Sequence, residues 1–497
     1  MAGRMEFGFQ FGKAGAWQGA RPADGTPFRI LVLADLRGGA GAPSDARVTR
    51  TTAVDVDNFE AIFERYSPTL ELPGGTGEGT SAVVFRSLDD FHPDALHQRL
   101  EIFGALRTMR AELNDPATFA AALARLQPEA AGAAAPEAAP AVGESDGAAI
   151  ERLLGRAPGA ARGTGAVDIT GLLKQVVAPY VVAARDPRAD AVIASVDAAS
   201  EGLMRTILRS AAFRALESAW RGVHELVTSE ACGEGVEVHV LDAPQARVAT
   251  DLEANAQALE RSALARAVLG DPAGSVNKRW ALVVAAYSIG ADEASLRMAA
   301  ALGAIAHRAG GALIAHAQAS LLGCAGFASA PSHAQWAALD ADAAAAWGAL
   351  RRSPDAAWIA LASPRVLMRQ PYGRKSDPTE RFAFEEVPAD HDADAMPWGH
   401  PGFALAQLLA TSFQAAGFGM EPGDHRELDD RPAFTYVSEG EMQMAPCAEA
   451  FLSEATTSAM LERGVLAIAS VRNRPALVVP RFQSIAEPPA ALAGPWS

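Results

Sequence analysis

Residues 347–386 read WGALRRSPDAAWIALASPRVLMRQPYGRKSDPTERFAFEE, and after an acidic loop residues 398–418 read WGHPGFALAQLLATSFQAAGF. Trp358, Ile359, Leu361, Val366, Leu367 and Met368 have the composition of core. The Pro364-Arg365 step, and the run Arg369-Gln370-Pro371-Tyr372-Gly373, impose extended backbone and then a turn, because a proline disfavours helix in the residue before it. Arg365, Arg369, Arg374, Lys375 and Arg381 place positive charge ahead of Glu385 and Glu386. This is a buried structural junction with charged rims. It holds no catalytic arrangement.

Upstream of the junction, residues 167–227 are strongly helical. Ile207, Leu208, Ala212, Leu216, Trp220, Val223 and Val227 recur at helical spacing and form one apolar stripe. Glu217 and Arg221 stand four apart and are expected to pair on the exposed side. His224 reads as a structural residue. Strands are expected at 236–241, 280–287 and 312–319, with helices at 248–268 and 296–309. That alternation predicts an α/β domain. Downstream, a helix is expected at 401–417, a helical stretch at 445–464 and a last strand at 465–472.

The first quarter of the chain has its own pattern. Met5, Phe7, Phe9 and Phe11 alternate as in a strand, which could add to a neighbour's sheet edge or serve as a local strand or tail. Residues 27–35, PFRILVLAD, read as a strand buried on both faces. The glycine-rich loop after it lacks the spacing of a phosphate loop. A strand is expected at 83–88. Asp90 or His92 then caps a helix carrying Leu96, Leu100, Phe103, Leu106, Met109 and Leu113. Residues 127–149 are mostly Ala, Pro and Gly and read as a linker. Ile150, Leu153 and Leu154 form a small amphipathic island within this zone.

Composition narrows the function. Apolar residues make up 49% of 497, enough for large cores, and the formal net charge of −16 argues against a nucleic-acid surface. No apolar run is long enough for a membrane span, and residues 1–13 lack the apolar core of a signal peptide. Three widely spaced cysteines, Cys232, Cys324 and Cys447, point to a reducing compartment and buried thiols. No metal-ligand spacing, nucleophile elbow or cofactor motif occurs, so no enzyme, metal or cofactor is expected.

The junction resembles the large sheath subunit of the bacterial type VI secretion system. That family carries a proline-arginine step, a leucine-rich step ending in arginine, a P-Y-G turn, an F-x-F-E-E run and a W-G segment. Here they stand as Pro364-Arg365, Leu367-Met368-Arg369, Pro371-Tyr372-Gly373, Phe382-Ala383-Phe384-Glu385-Glu386 and Trp398-Gly399. The string FRALESAWRGVHELV, with Phe213, Leu216, Glu217, Trp220 and Arg221, resembles another large-subunit hallmark. Residues 27–126, with their L-D-D-F-H-P run and the LHQRL and MRAEL stretches, resemble the small sheath subunit. Two departures stand out. The family's G-D-Y-E-F motif is reduced to Ala285-Ala286-Tyr287-Ser288-Ile289, and its C-terminal strand tail is expected to be missing, with 488–497 lacking a strand pattern.

The resemblance implies a small-plus-large fusion of sheath-type mixed α/β domains, with helices packed on β-sheets and a flexible Ala/Pro/Gly linker. The implied divisions are an N-terminal strand and arm (1–26), a small-subunit module (27–126), a linker (127–166) and a large-subunit region (167–497). It further implies a structural role in the bacterial cytoplasm, without nucleic acid or membrane insertion. The implied partners are other sheath subunits, the inner-tube protein, the baseplate and a ClpV-type unfoldase. Ile150, Leu153 and Leu154 would be the unfoldase's handle or a helical fragment docked on its own domain. The absent tail leaves a second reading open, a cap, baseplate adaptor or regulatory subunit that does not polymerise alone. An α/β enzyme is the third.

Overall fold

In the computed structural model the described residues are 21–39, 50–73, 80–115, 118–126, 188–270, 279–387 and 393–496. The first elements are β1 (Phe28–Ala34), β2 (Thr52–Val54), α1 (Phe59–Tyr66), β3 (Thr69–Pro73) and β4 (Thr80–Val84). Then come α2 (Pro93–Arg99), α3 (Glu101–Asn114), α4 (Phe119–Leu126), α5 (Arg188–Arg209) and α6 (Ala211–Thr228). The middle of the chain forms β5 (Val236–Asp242), α7 (Gln245–Ala254), α8 (Ala263–Leu269), β6 (Leu282–Ile289), α9 (Glu293–Arg308) and β7 (Ala312–Ala317). After α10 (Ala341–Arg351) follow β8 (Ile359–Ser363), β9 (Val366–Leu367), β10 (Trp398–Gly399) and α11 (Gly402–Ala416). The last are β11 (Glu427–Leu428), β12 (Thr435–Ser438), β13 (Glu441–Met444), α12 (Glu454–Glu462), β14 (Leu466–Ala467), β15 (Ala469–Ser470) and β16 (Leu477–Val478).

These residues divide into two compact units. One draws on Met1–Pro68, Ala215–Gln370 and Ala389–Ser497, the other on Thr69–Arg214 and Pro371–Pro388. Each therefore takes residues from both sides of the 127–166 zone.

The first unit is built on a seven-stranded sheet of order β14-β8-β7-β6-β1-β5-β2. All its pairings are parallel except β2 against β5 at the edge. β1 lies between β5 and β6, with Phe28 to Ala34 in register against Val236 to Asp242 on one side and Ile30 to Leu33 against Leu282 to Ala285 on the other. The apolar run Ile30 to Ala34 of β1 follows from this position. Leu31 and Leu33 join the core cluster around α9, while α11 also packs on β1, β6 and β7. A strand covered on both faces has no polar side to present. The sequence before residue 127 thus supplies a central strand to a sheet whose β5 to β8 and β14 come from after residue 187.

Small sheets lie beside the large one: β9 with β10, and β11-β16-β15. The expected helix at 445–464 is a shorter element. Leu367 N–H donates to the Cys447 carbonyl at 2.8 Å, and Val366 bridges Ala448, so 445–449 runs extended along β9. Helix α12 begins only after Ser453, whose hydroxyl caps the Thr456 N–H. The expected helix at 248–268 is likewise broken into α7 and α8, and the Asp251 carboxylate caps α8 by accepting from the N–H groups of Ala263 and Leu264. The expected strand at 465–472 is split into β14 and β15. Residues 488–496 form no ladder, but Trp496 is buried and stacks on Phe28 with centroids 6.3 Å apart.

The second unit holds the β3–β4 hairpin, α2 to α5 and the start of α6. The strand expected at 83–88 is instead β4, which ends at Val84 and pairs with β3. The single helix expected after His92 is two, because Leu100 adopts an extended conformation between α2 and α3. His92 caps α2 as expected, its Nδ1 accepting from the Asp94 N–H with Pro93 at the first helical position. Arg110 on α3 pairs with Asp197 on α5 through Nε to Oδ1 at 2.6 Å. No described helix is long and apolar enough to cross a membrane.

Candidate functional site

The junction residues fall into two clusters, one in each unit. In the first unit the centre is Glu217 on α6, with no exposed surface. Its Oε1 accepts from Arg369 Nε at 2.7 Å and from Arg221 Nε at 2.8 Å, and its Oε2 accepts from Arg369 Nη2 at 3.2 Å. Burial alone would push this carboxyl up. The two guanidiniums outweigh it and hold the group below the usual carboxylate range. The expected exposed Glu217–Arg221 pair is therefore a correction. A spacing of four places two residues on one helix flank, but Arg369, arriving from 152 residues away, makes that flank an interior one.

One turn on, Trp220 is fully buried. Its Nε1 donates to the Leu36 carbonyl at 2.9 Å, and its ring meets Phe63 at 4.5 Å, Tyr66 at 5.7 Å and Phe59 at 5.9 Å. All four partners precede residue 127. Phe59, Phe63 and Tyr66 escaped the sequence reading, although their spacing on α1 is that of an amphipathic helix face. Leu216 is also buried, and His224 stands edge-on to Phe59 at 5.0 Å. His224 has its imidazole pushed below the usual range by burial.

The proline-arginine step is anchored nearby. Pro364 is buried, and Arg365 donates its backbone N–H and its Nε to Glu449 at 2.9 and 3.0 Å. Trp398 is buried, pairs with Leu367 across β9–β10 and donates its indole N–H to the Ala393 carbonyl at 2.8 Å. Ser218 Oγ accepts from the His400 N–H at 2.9 Å, which ties α6 to the start of α11. The same approach fixes Gly222, where an added Cβ would sit 2.3 Å from the Phe403 ring. Gly222→Ala is expected to cost about 1–3 kcal/mol through overpacking. Urea denaturation measures it, and an unchanged midpoint would contradict the close approach of α6 and α11.

In the second unit Tyr372 and Glu386 clasp each other. Tyr372 N–H donates to Glu386 Oε2, and Glu386 N–H donates to the Tyr372 carbonyl, both at 2.9 Å. Both residues are about 1% exposed, so this carboxylate is structural. Pro371 is buried before them, and its carbonyl accepts from Ser376 Oγ. At Gly373 an added Cβ would lie 2.2 Å from Glu385 Oε2. Glu385 accepts from Arg374 N–H at 3.2 Å, and its carbonyl accepts from Arg205 Nε at 2.9 Å. Phe384 is buried.

The segment before residue 127 enters this cluster too. Asp94 accepts from the N–H groups of Glu380 and Arg381 at 2.8 and 3.0 Å, and His97 stacks on Phe382 at 4.4 Å. Phe213 stands edge-on to Phe91 at 5.4 Å. Burial, and then the Arg107 guanidinium, push His97 down to about 4, with Asp94 and Asp197 opposing and Arg381 adding to the shift. An unfolded imidazole titrates near 6.5, so the unfolded chain binds the proton first and stability is lost as pH falls from about 6.5 towards 4. His97→Phe is expected to reduce the loss in urea midpoint between pH 7 and pH 5. An equal loss in variant and parent would contradict this environment.

Met5, Phe7, Phe9 and Phe11, and likewise Ile150, Leu153 and Leu154, lie outside the described residues.

Two stretches of the chain match known families. Residues 190–486 match the family described as EvpB/VC_A0108, tail sheath N-terminal domain. Residues 15–127 match the family described as Type VI secretion system, VipA, VC_A0107 or Hcp2. The chain is similar to the type VI secretion system sheath protein TssC1 of Pseudomonas aeruginosa, 25% identical over 319 residues, covering 60% of this chain and 61% of TssC1. It is also similar to the sheath protein TssB1 of the same organism, 33% identical over 99 residues, covering 19% of this chain and 58% of TssB1. The chain thus spans less than two thirds of the length of either relative.

Proposed function

The chain belongs to the EvpB/VC_A0108 tail-sheath family, with a small-sheath-subunit region fused in front, and from that premise we propose that it is a structural building block of a type VI contractile sheath. The observation that carries the reading is the position of β1, between β5 and β6 in one sheet. A strand inserted there makes the region before residue 127 and the region after 166 share one sheet, as in a fused pair of sheath subunits. Fusion turns pairing of the two into an intramolecular event, at high effective concentration.

On this reading the chain works by assembly and not by catalysis. Its partners are other sheath subunits, and beyond them the inner-tube protein, the baseplate and a ClpV-type unfoldase, all in the bacterial cytoplasm. The cap or adaptor reading has no structural observation of its own in support.

Negative-stain microscopy tests the proposal. The purified chain, alone or mixed with the sheath subunits of its own system, is expected to be incorporated into tubes. A chain that stays outside every tube in both preparations would overturn it.

A further inference from the structure

A small cavity of about 10 Å³ lies inside the first unit, and its wall includes Ser218, Gly222 and Glu225 of α6, then His400, Phe403 of α11, and Arg431. Arg431 brings an unsatisfied donor to it. Its side chain is 5% exposed, and its Nη1 pairs with Glu225 Oε1. Its backbone N–H donates to the Pro475 carbonyl at 2.8 Å. Its Nε is buried and meets no acceptor among the described residues. Buried N–H groups are nearly always hydrogen-bonded, so this one calls for a partner. The wall itself does not supply it. Both ring nitrogens of His400 are taken by backbone: Nδ1 accepts from the Gly402 N–H at 3.1 Å, and Nε2 donates to the Tyr287 carbonyl at 3.2 Å. Gly222 and the Phe403 ring offer no acceptor. Ser218 Oγ accepts from the His400 N–H at 2.9 Å, and no described residue accepts its own hydrogen. The cavity is thus bordered by two donors in search of an acceptor, with one carboxylate beside them.

We propose that this cavity is a binding site for one water molecule, which accepts from Arg431 Nε and Ser218 Oγ and donates to the Glu225 carboxylate. A buried water needs a space of about this size and roughly two to four polar partners, and the wall supplies three. A chloride ion could use the same two donors, but the Glu225 carboxylate beside them repels an anion. A bridging water is nearly as favourable as a direct hydrogen bond, so it ties α6 to the chain around Arg431. That chain leads into β12 on one side and back to β11 on the other. The site lies within one unit, and the inference stands whether or not the chain enters tubes.

The test is a density map of the purified full-length chain, at a resolution that shows ordered water, in chloride-free buffer and again with sodium chloride. A peak within hydrogen-bond distance of both Arg431 Nε and Ser218 Oγ is expected in both maps. Ser218→Ala is expected to lose the peak while the Arg431–Glu225 pair stays in place, and that pair in the variant's map shows that the site is still folded. Three results would overturn the inference. One is an empty site, or Arg431 Nε on a protein acceptor, in the parent chain. Another is a peak present only with chloride, which would make the ligand an anion. The third is an unchanged peak in Ser218→Ala.

Discussion

Expressed without residues 1–126, the rest of the chain is expected to be insoluble or unfolded, and co-expression with residues 1–126 as a separate chain is expected to restore a soluble pair. The reason lies in the sheet. Removing residues 1–126 takes away β1 and β2, so β5 loses both its neighbours and β6 loses one of its two, and it strips Leu31 and Leu33 from the core around α9. It also removes Phe59, Phe63 and Tyr66 from the ring of Trp220. Buried main-chain groups without partners cost about 1–3 kcal/mol each, and several would be orphaned along β5 and β6. Domains are stable by only about 5–15 kcal/mol, so no remaining interaction can compensate. By the same argument, a chain cut within 127–166 should elute as one body from a sizing column. A stable, soluble and monomeric 127–497 fragment would show that the sheet does not depend on β1.

The second large effect is at the centre of α6. Trp220→Ala is expected to cost about 3–5 kcal/mol as a large-to-small core change. Glu217→Ala is expected to cost about as much, roughly 3–5 kcal/mol, because it leaves Arg369 without its bidentate partner in a buried site. Glu217 also sets an acid limit. Its folded carboxyl lies below the unfolded value, so its contribution is present above that value and is lost as pH falls through the folded one. Urea denaturation of the two variants at pH 7 measures both costs. A Glu217→Ala cost well under about 1 kcal/mol, the range of an exposed pair, would return this carboxylate to the surface.

Much of this fold was legible in the sequence. The nearly continuous apolar run FRILVLA, the periodic α9 and α11, and the turn residues at 371–373 each carry a local signal that survives folding. The assignment to a small and a large sheath subunit is borne out by the family matches. What escaped was non-local. Arg29 on β1 meets Glu237 on β5 across 208 positions, and no local pattern encodes that pairing. The side on which Glu217 faces inward was decided by Arg369, far along the chain. The two-residue strands β9, β10 and β14 are too short to show alternation, and the 445–449 stretch took a strand-like path because β9 offered it partners. Phe59, Phe63 and Tyr66 were legible and unread.

Amide hydrogen exchange on the intact chain tests the central claim most directly. The account predicts that amides of residues 30–33 exchange as slowly as those of β5 and β6 and open together with them, since a central strand is freed only when the whole sheet opens. Fast exchange at 30–33 while β5 and β6 remain protected would contradict it, because β1 would then belong to a separate module that merely rests against the rest.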